Sequence, residues 1–274
     1  MHRKLWLTIF ASVAGSCLCI GPASAQSISA TPAAVTTVSA NSTAQPAADA
    51  PLPTTIEIMQ KFEKAIGGHE VWAGFTTRTM KGIYQPEDLS GFAAIEIITK
   101  APDKRLMKTT FPNGLALREV CDGKSAWIED PRGGMHDFIG AALESRLRLA
   151  KFNNTSGSML LALTGRVIGT VPVGTHSTYV VEFAPDKKVT SKVYFDVESG
   201  FPVRVDDTIH RDDGDYVVQT FTDDYRPVDG AYFPFRIRHV EKGNIFTVRI
   251  TQIKNNPRVD DSVFLKTESA NADR

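Results

Sequence analysis

The sequence predicts an α+β protein built on one strongly curved antiparallel sheet of about ten or eleven strands. Three observations carry this. From Val189 to Ile253 apolar and polar residues alternate through five segments joined by short glycine-containing turns. Residues 77–130 hold five more segments of the same kind, and two stretches, near Ile56–Ile66 and Ile139–Ala150, repeat apolar residues at helical spacing. Period two marks a half-buried strand, and a period near 3.6 marks a helix that docks by one face.

Taken in order, the chain of 274 residues opens with Arg3 and Lys4, an apolar run from Leu5 to Ile20, and Ala23-Ser24-Ala25. That is the layout of a cleaved export signal over residues 1–25. Ser12, Gly15 and Ser16 interrupt the run, which is short for a membrane span of about 20 apolar residues. Cys17 and Cys19 would leave with the signal, so the mature chain keeps Cys121 alone, without an internal disulfide partner. Next to the Asp122-Gly123 turn, that cysteine reads as a packed thiol. Residues 26–54 are Ala-, Ser-, Thr- and Pro-rich with one charge, Asp49, a composition too poor in apolar surface to offset chain entropy, and they read as a disordered tether. The folded domain is expected over 55–265, with a short tail at 266–274.

Ile56, Met59, Phe62 and Ile66 line one side of a first helix, which Gly67-Gly68 ends. Val71, Trp72 and Phe75 suggest a short second helix whose aromatics cover one end of the core. Strands follow at Thr77–Tyr84, Phe92–Lys100, Lys104–Phe111, Leu115–Cys121 and Ser125–Asp130; Ile95 shares a face with Ile97, as Met107 does with Thr109 and Phe111. Ile139, Ala142, Leu143, Leu147 and Ala150 then stripe a helix, a pattern interrupted by Arg146, before the break at Asn153–Gly157 and a second apolar piece, Met159–Leu163. The closing meander runs Val189–Asp196, Pro202–His210, Tyr216–Tyr225, Ala231–Val240 and Ile245–Ile253. In its last two strands Phe233, Phe235, Ile237, Phe246, Val248 and Ile250 face one way and Arg236, Arg238, Arg249 and Thr251 the other. So many strands curl strongly, and the concavity must hold side chains, a helix or a ligand.

Lys192-Val-Tyr-Phe-Asp-x-x-Ser-Gly-Phe-Pro-Val-Arg204, Asp224-Tyr-Arg-x-Val-Asp-Gly-x-x-Phe-Pro234 and Asn256-Pro-x-Val-Asp-Asp-x-Val-Phe264, with Ala101-Pro-Asp-Lys104 and Asp122-Gly-Lys-x-x-Trp127 upstream, resemble the LolA/LolB/LppX-like superfamily of periplasmic outer-membrane lipoprotein-sorting proteins. The likeness spans roughly Thr54 to Phe264, and its motifs are mostly turns and strands. It implies a half-barrel holding acyl chains on its concave face, with the helices after residue 138 acting as lids. The residues alone leave open whether those helices move or are fixed core. On this reading the ligand-binding positions are Ile95, Ile97, Met107, Phe111, Trp127, Phe195, Phe233, Phe235, Phe246 and Val248 on the sheet, with Leu143 and Leu147 on the helix. The implied partners are a lipid or other hydrophobic ligand and a membrane or lipoprotein donor and acceptor. The implied compartment is the periplasm or another exported location.

Signals for chemistry are weak. Lysines and arginines number 31 against 31 acidic residues, and 29 against 31 without Arg3 and Lys4, so no basic excess points to nucleic acid. His69, His136, His176, His210 and His239 are scattered without metal-ligand spacing. Asp206, Asp207, Asp212, Asp213 and Asp215 lack the terminal glutamate of a calcium loop, and Asp213-Gly214 reads as a hairpin tip. Nucleophile-elbow, phosphate-loop and dinucleotide patterns are missing. No catalytic residue, metal or cofactor is therefore expected; the alternative is an exported hydrolase with a carboxylate and histidine site on the sheet rim.

Overall fold

In the computed structural model the described residues are 51–266, apart from 88–90, 153–162, 187–188 and 211–213. The expected signal, all but the end of the tether, the Asn153–Gly157 break, Met159–Ala162, the Asp212-Asp213 turn and most of the tail lie outside them. Among the described residues no helix is long and apolar enough to cross a membrane.

Helix α1 (Thr55–Ala65) and a short α2 (His69–Ala73) precede strands β1 (Thr77–Pro86), β2 (Ala93–Lys100), β3 (Lys104–Thr110), β4 (Ala116–Cys121), β5 (Ala126–Asp130) and β6 (Gly134–Asp137). Helix α3 (Gly140–Ala150) leads to β7 (Arg166–Val173), β8 (His176–Asp186), β9 (Val189–Asp196), β10 (Pro202–Ile209), β11 (Tyr216–Val228), β12 (Ala231–Glu241) and β13 (Asn244–Asn255), and a 3₁₀ turn at Asp261–Phe264 follows. All the strands form one antiparallel sheet in the order β6-β5-β4-β3-β2-β1-β13-β12-β11-β10-β9-β8-β7. Among the described residues the count is thirteen, not ten or eleven: β6, β7 and β8 escape the sequence pattern. The sheet is two meanders joined by β1 and β13, and it does not close, since β6 and β7 are its two free edges. Strand twist over this width favours a curled sheet, consistent with a half-barrel.

Register fixes the faces. Arg78 on β1 stands opposite Thr99 and Asn255, Met80 opposite Ile97 and Ile253, and Tyr84 opposite Ala93 and Val248. Ile97 stands opposite Met107, Thr99 opposite Arg105, and Arg105 opposite Cys121. In the second half Ile237 pairs with Val248 and Arg236 with Arg249, which separates the apolar from the charged face as the alternation predicts.

Thr54 caps α1: its hydroxyl accepts from the Glu57 amide at 3.2 Å while the Glu57 carboxylate accepts from the Thr54 amide at 2.7 Å. Thr54, which the sequence assigns to the tether, is thus the cap of the helix. Ile58, Met59 and Phe62 carry the buried stripe, while Ile56 is exposed. They pack on Val181, Phe183, Val193, Phe195 and Val205 of the second meander. Past α1 the chain presses against the β11–β12 hairpin, where the Tyr232 amide donates to the Ile66 carbonyl at 3.0 Å. At Gly67, with φ of 109°, a Cβ would lie 2.3 Å from the Gly230 carbonyl oxygen, so only glycine fits.

Helix α3 buries Ser145, Arg146, Leu149 and Ala150 most deeply; of the expected stripe, Ala150 is buried, Leu143 and Leu147 are partly buried against the sheet, and Ile139 is exposed. The reverse side of the sheet is apolar too where the C-terminal turn crosses it: Leu106, Val120 and Trp127 pack with Phe264, Val259 and Val263.

Candidate functional site

The inner face carries one continuous apolar cluster across β3, β2, β1, β13 and β12. Tyr84, Ile95, Ile97, Met107, Phe233, Phe235, Ile237, Phe246, Val248 and Ile250 are all buried in it, with Phe111 and Leu117 partly buried against it. Alternation explains its continuity, since each strand offers every second side chain to the same face and paired strands keep those rows aligned. Trp72 and Phe75 close one end, with the Trp72 ring 4.9 Å from that of Phe233, as the sequence anticipates for α2. Trp72 Nε1 donates to the Ile66 carbonyl at 2.9 Å.

Seven predicted positions meet in this cluster: Ile95, Ile97, Met107, Phe233, Phe235, Phe246 and Val248. Four others lie elsewhere. Phe195 is on the same face but lies under α1, 5.7 Å from the Phe62 ring. Leu143 and Leu147 pack, partly buried, on the separate group of Cys121, Ala126 and Ala150. Trp127 faces the opposite side of the sheet, under Phe264, where its Nε1 donates to Glu129 Oε1 at 3.1 Å. Its packing group is that of Phe264, separate from those of α1 and α3. Cys121 is buried, and burial pushes its thiol up, as befits a packing residue rather than a nucleophile.

Sequence reasoning misses the buried charges beside the apolar cluster. The Arg78 guanidinium lies 4.7 Å from the centre of the Phe233 ring, 5.0 Å from Trp72 and 5.2 Å from Phe152, and its Nε donates to Asn255 Oδ1 at 2.8 Å. Burial pulls its pKa down to about 10, so it stays charged at neutral pH. Two strands away in the same row, Arg105 Nη1 donates to Glu119 Oε1 at 3.3 Å, and its Nη2 lies 3.4 Å from Met107 Sδ. Arg146 on α3 brings Nη2 to within 3.5 Å of the second Glu119 oxygen and stacks 4.3 Å over Phe138. Arg78 and Arg105 are legible in hindsight, since period two places them with Met80 and Met107.

The histidines do not converge. His176 Nδ1 lies 2.9 Å from Asp196, and His239 Nδ1 lies 3.3 Å from Thr220 Oγ1. At the rim His210 lies between Thr190 Oγ1 at 3.0 Å and Asp215 at 2.9 Å. Among the described residues no group of three or more His, Cys, Asp or Glu side chains could hold a metal ion.

An open, all-antiparallel sheet with an apolar inner face and helices against it is the LolA type of fold, and comparison with solved structures gives the same class. The chain is similar to a LolA superfamily protein from Nitrosomonas europaea, with a TM-score of 0.52 at 12% identity over 78% of this chain and 99% of that one. A putative outer membrane lipoprotein-sorting protein domain from Vibrio parahaemolyticus gives 0.52 at 12% over 76% and 95%. A DUF1329 family protein from Desulfovibrio piger gives 0.55 at 10% over 77% and 95%. No protein-family model and no curated protein matches the sequence.

Proposed function

We propose that this is an exported carrier or binding protein that holds a lipid, a lipoprotein acyl chain or another hydrophobic molecule on the inner face of its sheet. The observation that carries the proposal is the continuous apolar cluster from Met107 to Phe235, bounded by Trp72 and Phe75 and lying beside α3. The export-signal pattern of residues 1–25 and the fold shared with a putative lipoprotein-sorting domain support it. Each CH₂ of a bound chain is worth about 0.8 kcal/mol when removed from water, so an acyl chain competes well for this surface. Helix α3 then acts as a cover that yields to ligand.

Organic extraction of protein purified from an exporting host, followed by mass spectrometry, tests this. A lipid near one equivalent is expected. A folded protein that carries no lipid and binds no fluorescent fatty acid overturns the reading.

The alternative, an exported hydrolase, has one observation in its favour, the Thr190–His210–Asp215 chain at the rim. Thr190 is β-branched and held in a paired strand, a cramped setting for an attacking hydroxyl. Hydrolysis of fluorogenic esters that His210→Ala abolishes would establish this reading, and its absence in the intact protein removes it.

A further inference from the structure

The apolar cluster ends against buried positive charge. Arg78, Thr99, Arg105 and Cys121 form one cross-strand row on the inner face, and Met80, Ile97, Met107 and Glu119 form the next. Ile97 and Met107 belong to the apolar cluster, so cationic and apolar surfaces share an edge. Three guanidiniums, those of Arg78, Arg105 and Arg146, are buried here beside one carboxylate, that of Glu119. Glu119 already gives one oxygen to Arg105 and the other to Arg146.

Two polar atoms on consecutive residues of α3 remain unused. Arg146 Nε and the Ser145 hydroxyl are buried without a hydrogen-bond partner, in residues that are 6% and 0% exposed. Buried donors are normally satisfied, and an unmet donor on a charged group is the most costly kind. A core helix that only filled space would not bring a guanidinium and a hydroxyl inward. Both atoms can donate, and both lie beside the buried guanidinium of Arg105 and the apolar edge at Met107.

We propose that the ligand is an anionic amphiphile, with its carboxylate or phosphate head taken by Arg146 and Ser145 beside Arg105 and Arg78, and its chain laid over Ile97 and Met107. This rests on the carrier reading above and narrows it to a ligand class. Charge-assisted hydrogen bonds from a guanidinium are strong and geometrically selective, so a neutral head of equal length binds more weakly.

The test uses the mature protein and a dansyl-labelled long-chain fatty acid, with its methyl ester as the neutral control. The acid should bind about tenfold more tightly than the ester. Arg146→Gln should weaken the acid about tenfold and leave the ester unchanged, while Arg146→Lys keeps most of the acid affinity. Arg146→Gln leaves Glu119 paired with Arg105, so the carboxylate is not orphaned. Should that variant melt early, Ser145→Ala carries the same comparison, with a smaller loss for the acid and none for the ester. Displacement by lysophosphatidate at lower concentration than by unlabelled fatty acid identifies a phosphate head, and the reverse order a carboxylate. Equal binding of acid and ester by the intact protein, or equal losses of both in the variants, overturns the proposal while leaving the carrier standing. Binding of neither means that the carrier reading itself has failed.

Discussion

At the scale of single residues, Asp207 and Trp127 give separable predictions. The Asp207 carboxylate accepts from Ser191 Oγ at 2.6 Å, and burial pushes its pKa up to about 6, helped by Asp206 and opposed by Ser191 and His239. The native protein therefore holds a proton that the unfolded chain has already released between about pH 4 and about pH 6. Stability falls as pH rises across that window and stays lower above it, by on the order of 2–3 kcal/mol. Asp207→Asn should raise the urea midpoint at neutral pH and have little effect near pH 4, where the carboxyl is already neutral; an equal gain at both would refute the assignment. Trp127→Ala should cost about 3–5 kcal/mol, as for a large buried aromatic, while the folded fraction binds a fluorescent fatty acid as before. Loss of binding out of proportion to unfolding would put Trp127 back among the ligand contacts. Alternation tells which residues share a face but not which face is inner. On β3 to β5 both faces are apolar, because Phe264 and its neighbours cover the outer one. For that reason the sequence could group Ile95 with Ile97, and Met107 with Phe111, yet set Trp127 among them although it lies on the outer face.

Elements were legible where burial is one-sided and hidden where it is not. Strands β11 to β13 alternate because one face packs and the other is wetter, whereas β9 and β10 are buried on both faces, and the turn at Gly230, with φ of 85°, follows from its Asp-Gly pair. Strand β7 is a free edge with mostly exposed residues, a register shift between Val167 and Gly169, and Pro172 within it, so no burial pattern marks it. Helix α3 was legible as a helix and its face only in part, since Leu143, Leu147 and Ala150 pack on the sheet but Ser145 and Arg146 also point inward against the expectation for polar residues. Helix α1 sets the boundary for truncation. A chain beginning at Pro53 should melt like the mature protein, because Thr54 and its reciprocal bonds with Glu57 are kept. Thr54→Ala in that background should cost about 1 kcal/mol, the usual worth of an N-cap. If the shortened chain itself melts much earlier, residues 26–52 contribute to the fold and are not a tether.

On the scale of the whole molecule, topology explains why a cover lies over the inner face. Strands β6 and β7 follow one another in sequence yet form opposite edges of the sheet, so the connection after Asp137 must pass from one edge to the other before Arg166. Its helix α3 lies against the inner side of β3, β4 and β5, where Ala150 packs in one buried group with Cys121 and Ala126. With Ser145 and Arg146 among its inward residues, α3 gains less from docking than an apolar stripe would, in keeping with the proposal that it yields to ligand. Ala150→Cys places a second thiol in the group that holds the chain's one described cysteine, Cys121. Mild oxidation that joins the two pins α3 to the sheet. The pinned protein should keep its far-ultraviolet circular dichroism, lose rapid uptake of a fluorescent fatty acid, and regain it on reduction. Uptake at the original rate, with the bond shown complete by thiol titration, would mean that α3 is a fixed part of the core and that ligand reaches the apolar cluster by another route.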